Sequence, residues 1–279
     1  MVNTTTGEFD LGDGTIYYET AGAGEAVVLS HAAFIDSRMF DAQWDALAQQ
    51  YQVIRYDMRG FGQSSPVTGP ACRRDDLSRL LDHLGIAQAH FVGCSNGGQL
   101  SLDLALEQAE RVLSLTIVNS APSGFEPVGE PPRHMMAMFG AMQQGDVDTA
   151  NELSVRIWFD GSSREPDEPD QAQRQKVLDM NRIMVERNTF FIADMQPARP
   201  LDPTALTRLH DVQCPVLVVV GALDHAEMLR AADIMAEQIP NAHKVIIEGT
   251  AHIPSFEKPE VFNPLLVDFL KNPAAFAIS

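Results

Sequence analysis

Residues 91–98 read F-V-G-C-S-N-G-G and place the pattern G-x-S-x-G between an apolar run and a stretch of helical character. A serine on so sharp a strand-to-helix turn has a strained backbone, and only small neighbours fit beside it. Gly93 and Gly97 provide that space, and Gly98 lets the helix pack close to the sheet. We therefore interpret Ser95 as a nucleophile, with a simple Gly-Ser turn as the alternative.

Short apolar runs rich in Val and Ile lie on both sides of this turn. They lack a clean alternation of apolar and polar residues, which is typical of strands buried on both faces of a parallel sheet. The runs are AVVLS from residue 26, YQVIRYD from 51, HFVGCS from 90, LSLTIVNS from 113, VLVVVG from 216 and KVIIEG from 244. A hairpin predicted around Asp13-Gly14 adds an antiparallel edge.

Stretches with apolar residues at helical spacing separate these runs, so strands and helices alternate along the chain. The predicted helices cover residues 40–50, 73–84, 98–107, 226–238 and 261–270. This order predicts an α/β fold, with a mostly parallel eight-stranded sheet and helices on both of its faces.

The alternation stops between residues 123 and 208, where no β-branched run occurs. Helices are expected there over residues 135–144, 147–158 and 171–187. Ligands of open α/β sheets bind outside the carboxyl ends of the strands, where an insertion after the sixth strand would lie. We therefore predict a core domain of residues 1–122 and 209–279, and an inserted helical cap of residues 123–208.

A serine nucleophile needs a base, and the base needs a carboxylate that orients it. Asp224 follows the run VLVVVG and His252 follows KVIIEG, which gives the chain order Ser, Asp, His expected after such a serine turn. All three residues fall at the carboxyl edge of the predicted sheet, so Ser95, Asp224 and His252 form the predicted triad. His225 is a poorer candidate because it is adjacent to Asp224, and Asp57 lies in D-M-R-G-F-G-Q-S, which we interpret as a structural turn.

Composition and charge exclude several classes of protein. Of the 279 residues, 45% are hydrophobic and 21% are charged, as in ordinary globular proteins. A formal net charge of −18 repels phosphate backbones and anionic membranes, so we expect no nucleic-acid or membrane partner. The acidic surface favours solubility, with steering of cationic substrates as the alternative.

Cysteine usage and the first residues predict a cytoplasmic protein. Cys72, Cys94 and Cys214 show no Cys-x-x-Cys spacing, which argues against a disulfide framework and a structural zinc site. The opening MVNTTTGEFDLGDG lacks the basic start and apolar run of a signal peptide. No run reaches the ~18 apolar residues of a membrane helix. We expect neither a metal nor an organic cofactor, and the sequence sets no oligomeric state.

The chain resembles the α/β-hydrolase superfamily over nearly its whole length. Besides the serine turn, the resemblance rests on SHAAF (30–34), YDMRGFGQS (56–64), GALD (221–224) and GTAHIPSFEKP (249–259). Within the superfamily the chain is most similar to capped esterases and 3-oxoadipate enol-lactonases, and RIWFDGSSR (156–164) is similar to their cap segments.

The resemblance also implies an oxyanion hole of two backbone N–H groups. One comes from Asn96, the residue after the nucleophile, and the other from Ala33, with Phe34 as the alternative. The sequence departs from the family at His31-Ala32, where His-Gly is usual, and glycine tolerates backbone angles that alanine does not. We therefore expect either strain at Ala32 or a rearranged loop, and we interpret His31 as structural.

The predicted reaction is cleavage of an ester or lactone through an acyl-enzyme, with a small molecule as the partner. A serine at the turn disfavours haloalkane dehalogenase and epoxide hydrolase chemistry, since those relatives use aspartate there. Carbon–carbon hydrolases of the fold usually have a Gly-rich oxyanion loop, which is absent here. Three alternatives stay open: acyl transfer to an alcohol or peroxide, an aminopeptidase-like amidase using Glu165, Glu168 or Glu186, and a receptor without turnover.

The predicted cap is rich in Met and aromatic residues, which can line an adaptable apolar pocket. We interpret Phe34, Trp158, Met135 and Met138 as pocket residues, with helix packing as the alternative for each. A substrate for such a pocket is small and largely apolar.

Overall fold

The computed structural model describes residues 2–195 and 197–276, and in them eight strands form one sheet. The order across the sheet is β1-β2-β4-β3-β5-β6-β7-β8, with β3 to β8 parallel and the β1–β2 hairpin antiparallel to β4. The strands are β1 (Thr4–Asp10), β2 (Thr15–Ala21), β3 (Ala26–Ser30), β4 (Gln52–Tyr56), β5 (Ala89–Cys94), β6 (Val112–Val118), β7 (Val216–Gly221) and β8 (Ala242–Ile247).

Helices cover both faces of this sheet. Every residue of β3, β5 and β7 is buried, and because successive side chains point to opposite faces, both faces must be covered. Helix α1 packs against α9, and α2 packs against α3. The helices are α1 (Asp41–Leu47), α2 (Arg73–His83), α3 (Asn96–Glu107), α4 (Met135–Gln144), α5 (Val147–Val155), α6 (Gln171–Glu186), α7 (Ala226–Gln238), α8 (Pro254–Glu257) and α9 (Pro259–Lys271).

Residues 123–208, here called the inserted segment, leave the sheet after β6 and return to it at β7. Within it α4 packs against α5, and α5 packs against α6. Asp146 and Asp170 begin α5 and α6, since their carboxylates accept the N–H groups of Thr149 (3.1 Å) and Gln173 (2.8 Å). Gly145, with φ of +70°, ends α4 in the left-handed region that favours glycine.

The predicted fold class is confirmed: the sheet has eight strands, is mostly parallel and lies between helices, with helices inserted after β6. Helix α3 begins at Asn96, two residues before the predicted start, because Ser95 already ends the strand-to-helix turn. No described helix has both the length and the apolar character needed to span a membrane.

The helix predicted over residues 147–158 differs from the structure. Helix α5 ends at Val155, and the chain continues as a π-helical turn, Arg156–Asp160. Arg164 satisfies carbonyls at the end of this wider turn, with Nε donating to Asp160 O (2.8 Å) and the guanidinium also donating to Phe159 O. A second π-helical turn, Phe190–Asp194, was not predicted.

Candidate active site

Ser95 lies at the turn between β5 and α3 in a backbone conformation that non-glycine residues rarely adopt, with φ of +52° and ψ of −116°. Its N–H donates to Val118 O (2.8 Å), and Ser120 Oγ donates to its carbonyl (2.6 Å). The turn has no room for larger neighbours: a Cβ on Gly93 would lie 2.2 Å from Gly97 O. The structure thus has the strained turn predicted from G-C-S-N-G.

His252 and Asp224 form a hydrogen-bonded pair at the same edge of the sheet. His252 Nδ1 lies 2.7 Å from Asp224 Oδ2, and both side chains are only 2% exposed. The other carboxylate oxygen, Oδ1, accepts the backbone N–H of His225 (2.7 Å). Because Nδ1 is used in this pair, Nε2 is the ring nitrogen of His252 that is left for proton transfer.

Asn119 fixes the position of Asp224, and the sequence analysis did not identify it. It follows β6 directly, with φ of +44°, and its side-chain amide donates both to Asp224 Oδ2 and to Ala251 O (3.1 Å). Its Oδ1 accepts the N–H of Gly221 (3.0 Å). Asn119 therefore joins the loops that follow β6, β7 and β8. The available signal was an asparagine directly after an apolar run, at the edge where Ser95 and Asp224 also lie.

Ser95 and His252 both border one cavity of about 320 Å³, here called the central cavity. No hydrogen bond joins their side chains in the described part of the chain. Catalytic hydrogen bonds are often long in a site without substrate and shorten once substrate is bound. All the other predicted pocket and oxyanion residues border this cavity too: Ala33, Phe34, Asn96, Met135, Met138 and Trp158.

The amides predicted to bind an oxyanion are available. Among the described residues, neither the Ala33 nor the Asn96 N–H donates a hydrogen bond. Asn96 is the first residue of α3, where a helix leaves its N–H groups without an internal partner and favours negative charge. Phe34 remains the alternative to Ala33, because its amide is equally unengaged within the described structure.

His31 holds the loop that contains Ala33. Its Nε2 accepts the N–H of Met58 (2.9 Å), so Nδ1 carries the proton and donates to Ala32 O (2.8 Å). Complete burial lowers the pKa of His31, which keeps the ring neutral in this arrangement. Ala32 is fully buried and is not among the residues with positive φ, so the loop accommodates alanine without left-handed strain.

Two aromatic side chains pack against the imidazole of His252. Trp158, from the π-helical turn, lies with its ring centroid 4.7 Å from that of His252, and its carbonyl accepts the His252 N–H (3.2 Å). Phe34 lies beside both rings, with centroid distances of 5.9 Å to His252 and 6.2 Å to Trp158. The inserted segment therefore contacts the histidine directly.

The rest of the central cavity is mainly apolar. Methionines from three elements and two phenylalanines line it: Met135, Met138, Met142, Met184, Met228, Phe139 and Phe190. Asp194, at the end of the second π-helical turn, also borders it, although no sequence motif marked this residue.

The other residues weighed from the sequence have structural partners. Asp57 accepts the N–H groups of Ser37 (2.9 Å) and Gln63 (2.8 Å), as expected for a turn. Glu165 pairs with Arg156 and Glu186 with Arg182, while Glu168 accepts the backbone N–H of Glu165. None of these three glutamates borders the central cavity, so the structure does not bring the predicted ammonium-binding set to Ser95.

The sequence matches a family model and curated proteins. The model described as "alpha/beta hydrolase fold" matches residues 25–259. A protein of Azorhizobium caulinodans named RutD, a candidate carbamate hydrolase, is 29% identical over 272 residues, covering 92% of this chain and 96% of the relative. The 3-oxoadipate enol-lactonase 1 of Acinetobacter baylyi is 26% identical over 249 residues, covering 88% of this chain and 89% of the relative.

Solved structures share the architecture. Est816, described as an N-acyl homoserine lactone degrading enzyme, matches with a TM-score of 0.76 and 25% identity, covering 94% of this chain and all of that chain. The enol-lactonase from Burkholderia xenovorans matches with a TM-score of 0.79 and 23% identity, covering 95% of this chain and all of that chain. The second likeness supports the fold alone.

Proposed function

The chain belongs to the α/β-hydrolase fold family, and we propose that it is a serine hydrolase that cleaves a carboxylic ester or lactone. The observation that carries the proposal is the placement of Ser95 on its strained turn, beside one cavity that the His252–Asp224 pair also borders. One relative is named as a candidate carbamate hydrolase and another as an enol-lactonase, and both names support hydrolysis as the class of reaction here.

The proposed mechanism assigns each residue one role. His252 Nε2 removes the proton of Ser95 Oγ as the oxygen attacks the substrate carbonyl, and Asp224 stabilises the charged imidazole. The N–H groups of Ala33 and Asn96 bind the oxyanion. His252 then protonates the leaving group, and a water activated by the same ring releases the acyl group from Ser95.

The central cavity favours a small, largely apolar substrate, because methionine and phenylalanine side chains form most of its wall. We propose residues 1–122 and 209–279 as the catalytic core, and the inserted segment as the cap that selects the substrate. A cytoplasmic location agrees with three free cysteines, of which Cys94 is buried.

Hydrolysis of p-nitrophenyl esters from acetyl to octanoyl tests the proposal, with the wild type compared with Ser95→Ala. We expect turnover that falls by a factor on the order of 10⁶ in the variant, since removal of a serine nucleophile disables the whole triad. Ser78→Ala is the matched control, because Ser78 bonds Gln108 (2.9 Å) and does not border the central cavity. Full activity of Ser95→Ala would refute the serine mechanism.

Other outcomes separate the alternatives. A lactone opened faster than its open-chain ester would favour a lactonase, and anilide cleavage would favour an amidase. Product formation with an added alcohol or peroxide, in competition with water, would favour acyl transfer. Tight binding without turnover of any of these substrates would favour a receptor and contradict the proposal.

A further inference from the structure

The central cavity adjoins a second cavity of about 270 Å³, here called the polar cavity. Three residues border both cavities, namely Asn96, Gln99 and Asp194, and we call them the polar junction. Beyond the junction four charged side chains form part of the wall of the polar cavity, beside alanine, leucine and proline residues: Arg73, Arg74, Asp103 and Arg199. A substrate in the central cavity therefore meets an apolar wall on one side and the polar junction on another.

Asp194 is the unusual member of the junction. Its side chain is 8% exposed, and among the described residues its Oδ2 has no hydrogen-bond partner. Only Oδ1 is paired, with Arg73 Nη2 (2.9 Å) and Nε (3.3 Å). A buried carboxylate oxygen without a donor is unfavourable, so this oxygen needs a partner that the described protein does not supply.

Gln99 offers a second unused polar group. Its backbone N–H donates to Ser95 O (3.0 Å), which fixes the residue one helical turn from the nucleophile. Its side-chain amide makes no hydrogen bond with another described residue, and it can both donate and accept. Gln99 can therefore complete the hydrogen bonding of a group bound to Asp194.

Charge decides which kind of group fits. Arg73 already neutralises Asp194, so the pair has no net charge. A substrate cation would add an unneutralised positive charge to this buried site. A substrate anion would be repelled by the carboxylate oxygen. An uncharged O–H or N–H group satisfies Oδ2 without either cost.

We propose that the polar junction binds an uncharged hydroxyl or amide N–H group of the substrate, with Asp194 Oδ2 as the acceptor. The inference rests on the proposed function in taking the central cavity as the substrate site. The substrate class is then an ester or lactone with an apolar chain and one such donor group on the same molecule. Asp194 and Gln99 are its specificity-determining residues.

Binding to the Ser95→Ala protein tests this class without catalysis. Titration calorimetry compares methyl hexanoate with methyl 3-hydroxyhexanoate and with methyl N-butyrylglycinate, which carry a hydroxyl and an amide N–H. We expect at least one donor-bearing ester to bind about 10-fold or more tightly than methyl hexanoate, as hydrogen bonds to charged groups are the stronger ones. A further Asp194→Leu change should remove that preference.

Asp103→Asn is the matched control. Asp103 is buried to the same degree as Asp194 and pairs with Arg74 (3.6 Å), but it borders the polar cavity alone. We expect the preference to survive in this variant. Gln99→Leu provides a second test if Asp194→Leu does not fold, because the Gln99 side chain makes no hydrogen bond with another described residue. In this variant the preference for donor-bearing esters over methyl hexanoate should fall several-fold.

The inference is overturned if no donor-bearing ester binds more tightly than methyl hexanoate, or if the preference persists in Asp194→Leu or is undiminished in Gln99→Leu. Turnover of the same esters by the wild type separates the two proposals. Turnover without a binding preference refutes the polar junction alone. A binding preference without turnover refutes the hydrolase and leaves the junction supported.

Discussion

The sheet edge and the inserted segment form the same cavity in different ways. At the sheet edge the polar side chains are held by hydrogen bonds, and Asp224 alone receives donors from His252, Asn119 and His225. The inserted segment contributes mainly methionine and aromatic side chains that are held by packing. Hydrogen bonds fix reacting atoms, whereas unbranched methionine adapts to different shapes. The difference agrees with the proposed function, in which the edge performs the reaction and the inserted segment selects the substrate.

Among the variants that compare the two regions, His252→Ala gives the largest expected effect, because it removes the proposed base from the sheet edge. We expect kcat for the best p-nitrophenyl ester to fall by on the order of 10⁴ to 10⁶, with little change in KM. His225→Ala is the matched control: the His225 side chain caps α7 by accepting the N–H of Glu227 (3.3 Å), and alanine keeps the backbone N–H that His225 donates to Asp224. If His252→Ala keeps more than a tenth of the activity, another residue is the base.

Replacing Asn119 by glycine tests whether the sheet edge depends on a positioning residue. Glycine adopts the φ of +44° without strain, so the variant mainly loses the side-chain hydrogen bonds to Asp224, Ala251 and Gly221. We expect kcat to fall about 10- to 100-fold, which is the usual effect of losing a hydrogen bond to a charged group, with KM nearly unchanged.

Asn188→Gly is the control for this variant, because Asn188 is the corresponding asparagine with positive φ (+53°) in the inserted segment. It should keep the wild-type kcat. Equal losses of kcat in both variants would mean that the change of backbone freedom, and not the hydrogen bonds of Asn119, is responsible.

Replacing Met138 by alanine enlarges the side of the cavity that the inserted segment forms. We expect the preference for octanoyl over butyryl esters, measured as a ratio of kcat/KM, to rise about 10-fold. Contacts between a hydrophobic pocket and a few methylenes change kcat/KM by about this factor. Met136→Ala is the control, since Met136 is 72% exposed whereas Met138 is 6% exposed. A parallel fall for all chain lengths would place Met138 outside the acyl pocket.

The smallest expected effect is on the pH dependence of stability. It comes from Asp103 in the polar cavity, between the two regions. Burial raises the pKa of Asp103 from 3.8 to about 6, so the folded protein binds a proton there more tightly than the unfolded chain. The stabilisation from that proton is complete below pH 3.8 and is lost as the pH rises through about 6.

Urea unfolding of the wild type and Asp103→Asn at pH 5.0 and 7.5 measures this contribution. The wild type should gain about 1 kcal/mol in the free energy of unfolding, relative to the variant, on going to the lower pH. A pH-independent difference between the two proteins would show that Asp103 is ionised throughout this range.

The sequence predicted the parts of the site that follow from the sheet. Parallel strands end at one edge, so Ser95, Asp224 and His252 could be assigned from the runs that precede them. The pocket residues Trp158 and Met138 were predicted from composition alone, and the contact of Trp158 with His252 depends on a π-helical turn that the helical pattern did not reveal.

Asn119 and Asp194 were not identified because their roles depend on contacts far apart in the chain. Asn119 bonds residues 102, 105 and 132 positions away, and Asp194 bonds Arg73, 121 positions away. No local pattern of residues encodes such distances, and both side chains are ordinary polar residues in their own segments.

Labelling with a fluorophosphonate, followed by peptide mass spectrometry, tests most directly whether Ser95 is the nucleophile. We expect a single adduct on Ser95, none in Ser95→Ala, and much slower labelling in His252→Ala. The neighbouring Cys94 should remain unlabelled, because it is fully buried and burial raises its pKa well above the usual value. An adduct on a different residue, or no adduct on a protein that hydrolyses esters, would contradict the account.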